Sequence, residues 1–194
     1  MPAPAGDAHV RDPAAAREGP AGSAGALMQA ADLAARLRER FPDVLEARGE
    51  VTLVVEAAAL REALEHLRTE PDLACEALSD LTVTDWPDRD PRFWVAYHLR
   101  SREHGHRLRV KVGLPPEPDP PHVPSVTDPF PTANWLEREA FDFFGVVFDG
   151  HPDLRRIEMP EDWDGHPLRK SEPLAGVATR YKGAFIPPPD QRGT

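Results

Sequence analysis

Cysteine is almost missing from this 194-residue chain, with Cys75 alone. One thiol excludes an internal disulfide, and it excludes a cysteine-ligated iron–sulfur cluster or a Cys-rich structural zinc site built from this chain. The simple expectation is a reducing compartment. Long apolar runs are also lacking, and none approaches the roughly 20 residues that span a bilayer. Positive charge is short, with 23 Lys and Arg against 33 Asp and Glu and a net charge of −10. That balance argues against nucleic acid, whose phosphates need a basic surface, and against direct docking on anionic lipid heads. Catalytic fingerprints are missing too. The chain has no Gly-x-Gly-x-x-Gly, no phosphate loop ending in Gly-Lys-Ser/Thr, no His-Glu-x-x-His and no Gly-x-Ser-x-Gly.

Proline is plentiful, with 23 residues. It divides the chain into segments of different character. Residues 1–26 are Ala, Gly and Pro with scattered charge. They lack a basic start followed by an apolar core, so a disordered tail is expected and no secretory signal. Residues 27–114 carry the periodic signals. Leu27, Ala30, Ala31, Ala34, Leu37 and Phe41 share one helical face that stops at Pro42. Residues 44–48 and 51–55 flank Gly49-Glu50 as two tightly joined strands. A second helix runs over 57–67, with Glu62–His66 and Glu65–Arg68 pairs on its wet side. Strands follow over 75–85, through Phe93, Val95, Tyr97 and Leu99, and through Leu108, Val110, Val112 and Leu114. The fold class is therefore α+β, a two-layer sandwich of a mixed sheet with helices on one face. Residues 115–131 hold eight prolines in 17 positions, which reads as a semi-rigid, polyproline-like spacer.

Residues 132–149 form a charged helix and a short strand. Leu136, Ala140, Phe143 and Phe144 make the apolar stripe. Asn134 with Glu137 three residues on is a capping-box pattern, and Gly145 is a left-handed stop. Glu137, Arg138, Glu139 and Asp142 lie on the opposite face, which on an isolated helix is solvated; the sharper expectation is that Glu137, Glu139 and Asp142 form a salt-bridge network with Arg155, Arg156, Arg169 and Lys170, buried at an interface. Residues 150–194 sustain neither a helical nor an alternating period, and prolines 152, 160, 167, 173, 187, 188 and 189 block both. Yet this arm carries Leu154, Ile157, Met159, Trp163, Leu168, Leu174, Val177, Tyr181, Phe185 and Ile186. It holds seven basic and seven acidic residues, so the whole negative surplus lies in residues 1–149. A balanced, apolar-studded arm that cannot fold alone is expected to wrap a partner.

Three histidines, His98, His104 and His106, bracket the hairpin at 101–105. Asp80, Asp85, Asp88 and Asp90 lie near a strand end and turn. The histidines lack a carboxylate–histidine ligand spacing and are expected to bind no metal, and the aspartates, which could pair with arginines or bind a cation, are expected to be a solvated strand end and turn. His151 and His166 each stand in Gly-His-Pro, which reads as a turn.

Glu137-Arg138-Glu139-Ala140-Phe141-Asp142-Phe143-Phe144-Gly145-Val146, then Gly150-His151-Pro152-Asp153-Leu154-Arg155-Arg156-Ile157, then Gly165-His166-Pro167-Leu168-Arg169-Lys170, resembles the signature of the 30 kDa (C-type) subunit family of NADH–quinone oxidoreductase, respiratory complex I. The likeness is strong over the last third of the chain. Ser171-Glu172 departs from the aspartate that more often follows the Arg-Lys pair. The resemblance implies a non-redox subunit of a proton-translocating enzyme, peripheral on the cytoplasmic face of the cell membrane. FMN, iron–sulfur clusters and quinone would belong to other subunits, with no catalytic, cofactor or metal residue here. The implied partner is the quinone-site subunit that resembles the hydrogenase large subunit. The partner-interface residues would be Glu137, Arg138, Glu139, Asp142, Gly145, Gly150, His151, Pro152, Arg155, Arg156, His166, Pro167, Arg169 and Lys170. Related subunits occur in membrane-bound hydrogenases and a deazaflavin-linked dehydrogenase. A small metal-dependent hydrolase using the His/Asp set is the alternative of a different class.

Overall fold

The computed structural model describes residues 28–172 and the backbone of 179–181 and 184–186. The expectations for the N-terminal tail, and for the arm at 173–178, 182–183 and 187–194, lie outside the described residues.

Helix α1 (Ala30–Arg38) lies against the hairpin of β1 (Val44–Ala47) and β2 (Glu50–Val55). Arg48 and Gly49 both take positive φ, at 56° and 75°, the two-residue turn whose twist suits paired strands. A single 3-10 turn at Ala57–Ala59 leads into α2 (Leu60–Thr69). Then come β3 (Ala77–Asp85), β4 (Phe93–Arg100) and β5 (Arg107–Leu114). The sheet order is β1-β2-β5-β4-β3. Only β2 and β5 run parallel within it, so the sheet is mixed.

One sheet face is apolar. Leu81, Val83, Phe93, Val95, Tyr97, Leu99, Leu108, Val110, Val112 and Leu114 are all buried. Leu33 and Leu37 of α1 and Leu60, Leu64 and Leu67 of α2 close over them. Each such side chain contributes about 2 kcal/mol by leaving water. The other face carries the alternate residues and has no layer above it among the described residues. On the wet side of α2, Glu65 and Arg68 approach to 3.9 Å, but Glu62 pairs with Arg40 at 2.9 Å rather than with His66.

The Pro-rich stretch is more than a spacer. His122–Pro124 forms β6, which pairs in parallel with β7 (Val147–Asp149). Val123, Val126 and Phe130 are buried in the main core. Between these strands runs α3 (Ala133–Phe144), packed against β3. Ala133, Ala140, Val146 and Phe148 join the same apolar cluster, so 122–149 completes the domain instead of following it. Prolines in this stretch are compatible because the parallel pair is only three residues long and stands apart from the large sheet.

Candidate functional site

The charged motif converges on the two ends of α3. The helix begins one residue before Asn134, with Thr132 as the capping position and no side-chain cap bond. The expected box at Asn134 does not form, because Glu137 turns the other way. Its carboxyl is fully buried and accepts from Ser125 Oγ at 2.7 Å and from the Val126 N–H at 2.7 Å. It therefore ties the chain entering the helix to the helix itself. Burial pushes the Glu137 carboxyl up to about 7, against the lowering effect of those two hydrogen bonds. The ion pair Arg61–Asp128 stands nearby with opposing influences. Tyr97, wholly buried beneath, has no hydrogen-bond partner for its hydroxyl among the described residues. Burial and the Glu137 carboxyl together hold that phenol well above its ordinary range.

At the C-terminal end Asp142 is the hub. Its side chain is also fully buried, within the chain itself. One oxygen takes Arg156 Nη1 at 2.7 Å. The other accepts the N–H groups of Ile157, Glu158 and Met159 at 3.0, 2.8 and 2.9 Å. Burial raises this carboxyl, but the N–H groups of Met159 and Glu158, Arg156 and the Ile157 N–H outweigh it and hold it below the usual range. Arg156 also donates to the carbonyls of Asp142, Trp163 and Gly165 at 3.2, 3.2 and 2.9 Å. One ion pair thus bends residues 156–165 into a closed turn.

The next residues cap the helix. A helix leaves its last carbonyls without internal partners. Here the Gly145 N–H takes Phe141 O at 2.8 Å, and His166 Nδ1–H donates to Asp142 O at 2.9 Å. The Leu168 N–H takes Phe143 O at 3.1 Å, and Arg169 Nε donates to Phe144 O at 2.6 Å. Two arginines at the negative end also suit the helix dipole. Arg169 then grips Asp119 with both terminal nitrogens, at 3.1 and 3.0 Å. Burial keeps His166 below its usual pKa and hence neutral. Gly145 sits under this cap at φ +72°, and a Cβ there would lie 2.5 Å from the His166 ring. Glycine is required on both counts.

The remaining motif residues complete the latch. Arg138 reaches the carbonyls of Arg155 and Arg156 at 3.1 and 3.3 Å and lies over Trp135. His151 donates from Nε2 to Asn134 O at 3.1 Å and accepts the Asp153 N–H on Nδ1 at 3.0 Å, the turn read from Gly-His-Pro. Gly150 takes φ +84°, and Pro152 and Pro167 follow the two histidines. The Lys170 N–H donates to Asp85, which also holds Arg92 in a two-point contact at 2.7 and 3.1 Å. Among the described residues Arg155 pairs only with exposed Asp153, and Glu139 stays exposed.

Residues 150–172 therefore take their shape on this chain's own helix, contrary to the expectation of an arm without internal support. Their periodicity is absent because the bonds run from isolated backbone amides and carbonyls to a few charged side chains. Asp85 and Asp119 were not among the expected motif residues. Asp85 looked like part of a solvated strand end, and only its inward phase on β3, shared with Leu81 and Val83, hints at burial.

The other candidates disperse. His104 donates to Pro71 O at 2.7 Å, and buried His106 lies 3.5 Å from Cys75 Sγ. Burial, with Glu76 beside it, pushes the Cys75 thiol up to about 12, an inert state. Among the described residues no group of three or more His, Cys, Asp or Glu is placed to hold a metal ion. No helix among them is long and apolar enough to cross a membrane.

A two-layer α+β domain with a mixed sheet has counterparts among solved structures. One match is the solved trypsin-resistant fragment of Nqo5, at a TM-score of 0.51 and 34% identity, covering 58% of this chain and 89% of the fragment. Another is a chain of a membrane-bound sulfane sulfur reductase, an archaeal respiratory membrane complex, at a TM-score of 0.63 and 26% identity, covering 74% and 85%. Residues 53–178 match the family described as respiratory-chain NADH dehydrogenase, 30 Kd subunit, and the chain belongs to that family. It is 49% identical over 146 residues to the C-type subunit of NADH-quinone oxidoreductase from Mycolicibacterium paratuberculosis, and 49% identical over 146 residues to its counterpart from Saccharopolyspora erythraea. Those alignments cover 75% of this chain but 61% and 58% of the two relatives.

Proposed function

We propose that this chain is a non-redox peripheral-arm subunit of a proton-translocating NADH:quinone oxidoreductase. It braces the quinone-site subunit, the one resembling the hydrogenase large subunit, on the cytoplasmic side of the membrane. Electrons pass from NADH to quinone through FMN and iron–sulfur clusters held by other subunits. The observation that carries this reading is that the family motif's charged groups are turned inward. Asp142, Arg156, His166 and Arg169 are engaged in fixing residues 156–169 against α3. Among the largely charged residues that the latch leaves exposed stand two large apolar side chains, Trp135 at 64% and Leu168 at 48% exposure. Large side chains left bare on a rigid frame suit an interface anchor.

The test is replacement of the native gene by a tagged copy carrying Asp142→Asn or Trp135→Ala. The wild-type tag is expected to retrieve the quinone-site subunit and NADH:quinone activity from solubilised membranes. Asp142→Asn is expected to lose both, and Trp135→Ala to retain the fold while lowering the yield of complex. Full recovery of assembled, active complex with both variants would overturn the bracing role. The likeness to the archaeal sulfane sulfur reductase chain favours one second reading, the equivalent subunit of a hydrogenase-type or deazaflavin-linked complex. Co-purification of a nickel-site subunit in place of an NADH-binding flavoprotein would select it.

A further inference from the structure

The face of the five-stranded sheet that no other described element covers is basic, although the chain as a whole is strongly acidic. Strand alternation places Arg100 and His98 of β4 and Arg107, Arg109 and Lys111 of β5 on this face. The register sets them side by side, with Arg100 opposite Arg107 and His98 opposite Arg109. Like charges directly opposite on paired strands are destabilising. Relief within the chain is slight. Glu50 takes Arg109 at 2.7 Å, and Asp80 stands beside His98 in the register. Arg100 and Arg107 form no ion pair among the described residues, and both are exposed, although Arg107 acts on Glu50 at longer range. Lys111 lies over the Trp94 ring at 4.6 Å instead of on an acid. Burial and the neighbouring Arg109 lower its pKa, as expected where positive charge is uncompensated. A hollow of about 720 Å³ opens at this end of the sheet, walled by His98, Arg100, Arg107 and Arg109 together with Glu50, Asp80 and, from the helix side, Leu33.

We infer that this face docks a carboxylate-rich segment of a neighbouring subunit, seated over β4 and β5 with acidic side chains between Arg100 and Arg107. The inference rests on the subunit reading above. Arginines present a planar fork that binds carboxylates at two points, and complementary charge selects the partner and its register. A nucleic acid is the poorer fit. Phosphate chains need a continuous track of cations, whereas here Glu50 and Asp80 interrupt the strip and the rest of the molecule repels a polyanion.

The experiment places the photoreactive residue p-benzoylphenylalanine at Thr82, on the same open face, in the tagged full-length chain in its native cells. Membranes are irradiated and the adduct is sequenced. The expected adduct is an Asp- and Glu-rich peptide of another subunit. Arg100→Glu with Arg107→Glu is expected to cut its yield about ten-fold, and changing two carboxylates of that peptide to lysine to restore it. Arg100→Gln alone, which keeps much of the side chain's length, is the reserve should the double variant misfold, with a smaller loss expected. An adduct to nucleic acid, to this chain or to a peptide without acidic excess overturns the inference, as does a yield indifferent to charge reversal. If the wild-type tag fails to retrieve the quinone-site subunit, the subunit reading falls. If it retrieves it and no adduct forms, only the docking face falls.

Discussion

The two ends of α3 bury one carboxylate each, five positions apart, and treat them oppositely. Asp142 meets an arginine and three backbone amides and stays ionised. Glu137 meets one hydroxyl and one amide, with a phenol beneath it that has no partner among the described residues, and burial favours its neutral form. Depth does not set the charge of a buried acid; the count of donors facing it does. The C-terminal end is thus an electrostatic latch. The N-terminal end is a hydrogen-bonded clasp whose strength depends on pH.

The largest break in this comparison is expected from Asp142→Asn or Arg156→Glu. Removing one partner of a buried pair costs about 3 to 5 kcal/mol, and the lower figure applies because Arg156 keeps 15% of its side chain exposed. Urea titration should show the loss, and hydrogen exchange should show the amides of Ile157, Glu158 and Met159 opening first. A drop under about 1 kcal/mol would contradict the latch.

Glu137→Gln sharpens the other end. Its folded pKa of about 7 lies above the ordinary 4.5. Between those values the folded state holds more protons than the unfolded, so stability falls as pH rises through the window and levels off above it. The contribution is on the order of 3 kcal/mol. Wild type minus variant, by chemical denaturation from about pH 4.5 to 8, should trace that slope. Parallel curves would show that Glu137 does not titrate there.

Gly145→Ala is expected to cost about 1 to 3 kcal/mol from the left-handed backbone and the displaced His166 ring. Limited proteolysis should then cut residues 150–172 faster than in wild type. The smallest effect is Arg155→Glu, adjacent to Arg156 yet paired only at the surface. It should stay within about 0.5 kcal/mol by thermal melting. Equal losses at 155 and 156 would erase the distinction between a latch residue and a solvated neighbour.

The sheet and the first two helices were legible because their information is periodic. Val95, Tyr97 and Leu99, or Leu60, Leu64 and Leu67, repeat at the spacing of the element they build. Gly145 was legible for a different reason, since a left-handed stop admits few residues. The role of Glu137 was not, because its partners Ser125 and Val126 lie before the helix in a stretch that composition marks as a spacer. Nor was the folding of residues 150–172, where three consecutive amides reach a single oxygen of Asp142. Such bonds leave no apolar rhythm, and a charge on the nominal wet side of a helix looks the same whether it meets water or folded chain.

Strands β6 and β7 lie on either side of α3 in sequence and run parallel. The chain that leaves toward the arm is therefore zipped to the chain that enters the helix. Tension applied at residue 150 pulls along β7 while β6 is anchored from its other end. All three rungs of the pair are then loaded in shear at once instead of peeling singly. A chain folded in this way can pass a mechanical load on its C-terminal segment into the main domain without first unwinding the helix between them.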